Sequence, residues 1–295
     1  MREIKLTDKN VGEIVIGMGF FDCVHLGHRA LVSEIKMLAQ NMKAHSAIIT
    51  FSNNPYAQFN PSAKLIYTYN ERLQLFYELG LDYVIPFEFN ADFRAKTKET
   101  FLKELFSAFE IKGMVCGYDY KFGHLGSGNA DYLKAVCAKR GIPVSVVQPV
   151  LYEKERVSST LIKKTLMDGD IKRANELLDA PYFLTGQVVH GRGVGKIYGI
   201  PTANIEISSD KILVKSGVYA TRAIYDGKVK KSVTNVGAKP TFGEKTTTIE
   251  TLVKDESSDL YGKDIKLEFV DYLRDIRKFD SPEELADRIH KDLEY

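Results

Sequence analysis

The chain has 295 residues, 44% of them hydrophobic and 27% charged, with 41 basic against 39 acidic side chains and a formal net charge of +2. A length beyond the roughly 100 to 200 residues of one domain predicts two cores, and this composition excludes a disordered or low-complexity chain. The interspersed charges exclude the basic stripe that duplex nucleic acid requires, and no apolar run approaches the roughly 20 residues of a membrane span.

Met1 to Asn10 is too charged for a signal peptide, so a cytoplasmic protein acting on small anionic molecules is expected. From residue 13 to about 180, short apolar runs alternate with amphipathic segments, the pattern of a parallel sheet covered by crossover helices. The expected strands are Ile14 to Met18, Ser46 to Phe51, Tyr83 to Phe87, Gly113 to Gly117 and Val144 to Val147. Apolar residues at helical spacing predict helices over Arg29 to Met42, Glu71 to Leu79, Thr100 to Phe109 and Ala130 to Lys139. The periodicity switches at Asp179-Ala180-Pro181, which predicts domains of residues 1–181 and 182–295. Beyond the switch the alternation is β-rich, as in Tyr219 to Tyr225 followed by Asp226-Gly227, a good hairpin turn. Ser281-Pro282-Glu283-Glu284 supplies an N-cap, a first-turn proline and acidic residues, predicting a terminal helix on a barrel's flank. Cys23, Cys116 and Cys137 are odd in number and lack CxxC spacing, which argues for reduced thiols over a disulfide framework or a zinc site.

Gly19-Phe20-Phe21-Asp22-Cys23-Val24-His25-Leu26-Gly27-His28 follows the first strand and opens the first helix, where backbone N–H groups point at any anion above them. His25 and His28 are close enough around the turn to converge on one polyphosphate, where imidazole donors offset charge building at phosphorus. The plainer alternative is that one histidine caps the helix and the other is solvated. This run resembles the HxGH signature of the nucleotidylyltransferase superfamily, and its flanks narrow the resemblance to the bacterial bifunctional riboflavin kinase/FAD synthetases. The resemblance implies a Rossmann-like N-terminal half, a parallel sheet with flanking helices, that joins FMN to the α-phosphate of ATP. Gly19, Phe21 and Asp22 would then surround the nucleotide.

Gly117-Tyr118-Asp119-Tyr120-Lys121-Phe122-Gly123 resembles the family's loop for flavin and nucleotide, which implies flavin contacts for Tyr118, Asp119, Tyr120 and Phe122. Aromatic rings stack on planar heterocycles, though a surface turn with buried aromatics reads the same way. Val157-Ser158-Ser159-Thr160-Leu161-Ile162-Lys163 resembles the ISSTxIR motif, which implies phosphate contacts from Ser158, Ser159, Thr160 and Lys163. A simple N-cap asks for the same serines. Three departures from the family predict weakened adenylyl transfer. Cys23 stands where relatives usually have glycine, and a turn needing positive φ would be strained by its Cβ. Asn54 stands where they place a histidine near ATP, and an amide donates a hydrogen bond without carrying charge. Lys163 replaces an arginine and loses its bidentate fork.

In the second half, Gly186 to Gly191, Gly193-Val194-Gly195-Lys196 and Gly199-Ile200-Pro201-Thr202-Ala203-Asn204 are dense in glycine, which permits close backbone approach to phosphates. Ile197 after Lys196 rules out a Walker A loop, and a plain glycine-rich hairpin is the alternative. Pro201-Thr202-Ala203-Asn204 resembles the riboflavin kinase PTAN motif. That implies Mg²⁺ held by Thr202 and Asn204 against the phosphates of ATP, with Gly195 and Lys196 beside them; hydroxyl and amide oxygens are hard ligands that suit this ion. Asn235 to Gly243, and Thr248-Ile249-Glu250 ahead of Asp259-Leu260-Tyr261-Gly262-Lys263, agree with the same resemblance. It implies flavin contact at Asn235 and, at Glu250, a base for the ribityl hydroxyl proton. An exposed strand glutamate is the alternative.

The resemblance therefore implies riboflavin phosphorylation in a mainly-β C-terminal barrel and FMN adenylylation in the α/β N-terminal half. ATP, flavins and Mg²⁺ are the expected small molecules, with no nucleic-acid or membrane partner, in a monomer or weak homo-oligomer. Two rival expectations remain: a paralogue keeping one activity, the kinase being the survivor, and a non-catalytic flavin sensor on the same scaffold.

Overall fold

A computed structural model describes residues 1–191, 201–238 and 247–295. The chain divides into two compact units, Met1–Ser159 and Thr160–Tyr295. The first begins with β1 (Arg2–Glu3), β2 (Glu13–Met18), α1 (Leu26–Met42), β3 (His45–Phe51), α2 (Tyr69–Glu78) and β4 (Tyr83–Phe87). It continues through α3 (Ala91–Ala95), α4 (Lys98–Ala108), β5 (Glu110–Gly117), a small hairpin of β6 (Lys121–Phe122) and β7 (Gly128–Asn129), and α5 (Ala130–Ala138). β8 (Val144–Val147) and the hairpin of β9 (Leu151–Tyr152) and β10 (Glu155–Arg156) complete it.

One parallel sheet runs in the order β1-β4-β3-β2-β5-β8. Its central strands are near-continuous apolar runs because both faces are covered, and Ile14, Ile16, Met18, Met114 and Leu105 are fully buried. All the expected strands and helices of this half are present. α1 starts a turn ahead of its first expected residue because His25 caps it, its side chain accepting the His28 N–H.

Arg72 on α2 is fully buried. Its Nη1 donates to Phe20 O (3.1 Å) and Thr50 Oγ1 (2.5 Å) and its Nη2 to Phe51 O (2.7 Å), so one guanidinium ties the carboxyl ends of β2 and β3 together. Burial lowers its pKa to about 10, which still leaves it charged at neutral pH. Replacing Arg72 with Met removes three donated hydrogen bonds, though Phe20 O keeps the one from Thr50 Oγ1, and the expected loss is about 3 kcal/mol, read from the urea midpoint. Lys recovers little of it, having no planar fork.

α6 (Ser159–Asp168) and α7 (Ile171–Leu178) precede the barrel. α7 is capped by Asp170 and packs on the last barrel strand, where Asn175 Nδ2 donates to Phe269 O at 2.9 Å. The barrel strands are β11 (Phe183–Val189), β12 (Ala203–Ile207), β13 (Gly217–Tyr225), β14 (Lys228–Ala238), β15 (Thr247–Val253) and β16 (Asp264–Arg274). They close antiparallel in the order β11-β12-β15-β14-β13-β16. Asp226 (φ 49°) and Gly227 (φ 72°) make the expected two-residue turn between β13 and β14. The terminal helix, α8 (Pro282–Asp292), is also present. Leu285, Ala286 and Ile289 cover Val218, Val233 and Leu252 on the barrel's outer surface.

Strand alternation then turns the neighbours of Val233 and Leu252 inward. Thr221 Oγ1 meets Ser232 Oγ and Thr234 Oγ1 at 2.7 Å each, and Thr234 Oγ1 meets Thr251 Oγ1 at 2.9 Å. This buried hydroxyl chain crosses three strands and pins their register. The architecture is thus the expected pair: an α/β half on a parallel sheet, and a mainly-β barrel with a terminal helix. Among the described residues, no helix is long and apolar enough to cross a membrane.

Candidate active sites

The N-terminal motif forms a tight turn between β2 and α1. Phe21 (φ 57°) and Val24 (φ 49°) hold left-handed backbone, which bulky residues keep only where the surroundings enforce it. Phe21 is buried, with its ring edge-on to Phe76 at 5.9 Å; Gly19 leads into the turn ahead of it. Cys23 does not occupy the left-handed region, so the strain expected from its Cβ is absent. Its thiol is buried, with Sγ 3.4 Å from Ser159 Oγ, which joins the first motif to the start of the serine motif. Asp22 Oδ1 accepts the Ile66 N–H at 3.1 Å, tying the turn to the segment before α2.

The rings of His25 and His28 stack face to face, 3.8 Å apart and 6° from parallel. Gly27 makes room for this: a Cβ there would come within 3.0 Å of His25 Cε1. His25 is therefore the cap, but neither histidine is simply solvated, since His25 is 7% exposed and His28 Nδ1 is buried without a hydrogen-bond partner. Burial pulls the His25 pKa down to about 4, with the charge of Arg156 adding to the effect. Burial, then the charges of His25 and Arg72, hold His28 well below the usual histidine range. Both rings are consequently neutral near pH 7 and act through N–H donors rather than as cations.

The low value has a consequence for stability. An unfolded His25 binds its proton near pH 6.5 and the folded one near 4, so acidification through that window favours the unfolded chain. The expected loss from His25 is at most about 3 kcal/mol, recovered as pH rises. Urea midpoints at about pH 7 and pH 5 should differ less in His25→Asn than in the parent protein.

Around residues 117–123, Arg156 Nη2 donates to Asp119 Oδ2 at 2.5 Å and lies 5.0 Å from the centre of the Tyr118 ring. Tyr118 and Asp119 are exposed, whereas Phe122 belongs to the hydrophobic core and stacks on Tyr120 at 5.5 Å. Burial raises the phenol pKa of Tyr120. Asn54 caps the short turn Pro55–Gln58, with Oδ1 accepting the Tyr56 N–H and Nδ2 donating to Ala63 O at 2.8 Å. One amide N–H of Asn54 is left over from these bonds. α6 begins at Ser159, directly after Ser158; Thr160 is exposed on its first turn and Lys163 half-buried one turn on.

In the barrel, Asn204 on β12 pairs across to Glu250 on β15, and Glu250 pairs across to Asn235 on β14. Cross-strand partners share a face with Cβ atoms about 5 Å apart, so three residues distant in sequence form one row. Asn235 Oδ1 in that row is buried and has no hydrogen-bond partner. Gly191 backs the row, since a Cβ there would fall 2.0 Å from Asn204 Nδ2.

A cavity of about 460 Å³ has Thr202, Val188, Val253, Leu260 and Tyr261 in its walls, together with Ala203 and Thr251, which alternate with Asn204 and Glu250 and so face the other side of the strands from the row. Tyr261 stacks on His190 at 3.8 Å. Glu256 also lines the cavity, and hydrogen bonds from Ser258, Tyr225 and Lys230 hold its carboxyl well below the usual range. Sequence reasoning missed Glu256, Ser258 and Arg156. The signals were the polar turn Asp255-Glu256-Ser257-Ser258 and a cation two residues ahead of Ser158. Gly195 and Lys196 lie outside the described residues, as do 239–246.

The FAD synthetase family model matches residues 7–161, and the riboflavin kinase family model matches residues 178–295. The chain belongs to the bifunctional riboflavin kinase/FMN adenylyltransferase family. The Bacillus subtilis (strain 168) bifunctional riboflavin kinase/FMN adenylyltransferase is 31% identical over 299 residues, covering 97% of this chain and 92% of that protein. Its Escherichia coli (strain K12) counterpart is 30% identical over 282 residues, covering 94% and 90% respectively. A crystal structure of a macrolide-efflux protein from Streptococcus pneumoniae has the same fold, with a TM-score of 0.89 at 29% identity, covering 99% of this chain and 97% of that one. Each half of this family member matches its own model, which favours two activities over a kinase-only paralogue or a flavin sensor.

Proposed function

We propose that the chain makes FAD in two ATP-dependent steps, phosphorylating riboflavin to FMN in residues 182–295 and adenylylating FMN in residues 1–181. The observation that carries this reading is the match of two family models to separate stretches, 7–161 and 178–295.

In the barrel, Glu250 accepts the proton of the ribityl hydroxyl as its oxygen attacks the γ-phosphorus, and ADP leaves. Asn235 orients the flavin beside Glu250, while Thr202, Gly195 and Lys196 serve the ATP phosphates. The Thr202 hydroxyl and Asn204 amide oxygen fit Mg²⁺ as hard donors, and the row places Asn204 next to Glu250. When bound, Mg²⁺ neutralises the phosphate charge.

In the α/β half, an FMN phosphate oxygen attacks the α-phosphorus of ATP and pyrophosphate leaves. His25 and His28 donate N–H groups to the phosphate oxygens as charge builds on them. Gly19, Phe21 and Asp22 hold the turn that presents them. Ser158, Ser159, Thr160 and Lys163 supply hydroxyls and a cation to the phosphates, and Asn54 contributes its remaining N–H. Tyr118 and Asp119 face the flavin, with Tyr120 and Phe122 supporting them from the core side. On this reading the chain works on small molecules in the cytoplasm, as a monomer or weak homo-oligomer. Incubation with FMN, ATP and Mg²⁺, without riboflavin, should release pyrophosphate and FAD in equal amounts. Neither product from a protein that still phosphorylates riboflavin refutes the N-terminal assignment.

A further inference from the structure

We propose that Cys23, His25 and His28 form a binding site for a divalent cation of the zinc class, and that its occupation shuts off the N-terminal half. Each side chain offers one ligand atom, and these atoms lie within 4.8 Å of one another. Among the described residues no other group of His, Cys, Asp and Glu converges in this way. Four-coordinate zinc with one sulfur and two nitrogen ligands sets them about 3.5 Å apart, so the cluster is slightly wider than its bound form.

The stack shows which movement closes it. An imidazole binds a metal in its own plane, so two parallel rings 3.8 Å apart cannot both aim at one ion, and one must tilt. His28 is free to do so on its Nδ1 side, which is buried without a hydrogen-bond partner. The Nδ1 of His25 accepts the His28 N–H, so Nε2 carries the ring proton while the cation is absent; ligation through Nε2 moves that proton to Nδ1 and gives up the cap bond. Cys23 binds as the thiolate, releasing its proton to solvent, and a water completes the coordination.

A thiolate with two imidazoles selects Zn²⁺ or Co²⁺, whereas Mg²⁺ takes oxygen ligands, so the ion serving the kinase half does not compete here. The expectation of no zinc site rests on the lack of CxxC spacing in the chain. The pattern present is Cys-x-His-x-x-His, with one thiol and two rings brought together by the cap of α1. The consequence for activity rests on the adenylyl-transfer reading; the binding itself does not. A ring nitrogen that ligates a cation has no N–H to give to phosphate.

Titrating the full-length protein with Co²⁺, followed in the near ultraviolet, tests binding without reference to activity. One equivalent should produce a thiolate-to-cobalt charge-transfer band that Zn²⁺ abolishes and excess Mg²⁺ leaves intact. Cys23→Ala should lose the band, and His28→Ala should bind Co²⁺ about tenfold or more weakly, which covers the case in which the first variant misfolds. No band at saturating Co²⁺, or a band that survives Cys23→Ala, overturns the site. With Zn²⁺ bound, FAD formation from FMN should stop while FMN formation from riboflavin continues; undiminished FAD formation overturns the inhibitory role. A protein that makes no FAD before any Zn²⁺ is added contradicts the functional reading instead, and the cobalt band still decides the site.

Discussion

Glu250→Gln should bind riboflavin and ATP as the parent protein does, yet phosphorylate riboflavin about 10² to 10⁴-fold more slowly. The amide keeps the size of the side chain and can still hydrogen-bond to the ribityl hydroxyl, so binding survives. It has no basic oxygen to receive the proton as the new P–O bond forms. Backbone pairing fixes Glu250 between Asn204 and Asn235, and the buried hydroxyl chain through Thr234 and Thr251 holds the register that sets this spacing. Replacement at Glu250 therefore changes the chemistry with little effect on the frame. The effect belongs in kcat, with the KM values for both substrates close to normal. Normal turnover by the variant refutes the base assignment.

His28→Ala should depress pyrophosphate release from FMN plus ATP by about 10² to 10³-fold while riboflavin phosphorylation persists. The magnitude is that of removing one preorganised donor from a site where charge develops. Because both rings are held neutral, with His25 near pKa 4 and His28 also well below the ordinary range, the parent rate should show no inflection from these rings near pH 6.5. A titrating imidazolium donor would instead lose activity as pH rises through that value. An equal fall in both activities after His28→Ala contradicts independent sites.

The α/β half was legible because its central strands are buried on both faces and read as unbroken apolar runs, as in Ile14 to Met18 and Ser46 to Phe51. β1 is two residues long and has no period to detect. Arg72 illustrates a different limit: on a helical pattern an arginine reads as a solvated face, and only the fold shows it buried between β2 and β3. The Cys23 expectation failed for a related reason. Which residues of a turn adopt positive φ depends on how the chain enters the helix, and here Phe21 and Val24 do so. Motif resemblance singles out Thr202, Asn204, Asn235 and Glu250 one by one. Their arrangement was not legible, because the row of Asn204, Glu250 and Asn235 arises only when β12, β15 and β14 pair. Glu256 was missed because a polar turn between strands looks like ordinary surface until its carboxylate is seen fixed by Ser258, Tyr225 and Lys230 at a cavity wall.

The claim that one chain carries both activities is tested most directly by separating the flavins at successive times after mixing the protein with riboflavin, ATP and Mg²⁺. FMN should rise first and then decline as FAD accumulates with a lag. Complete conversion of riboflavin to FMN with no FAD, in ATP excess, would contradict it.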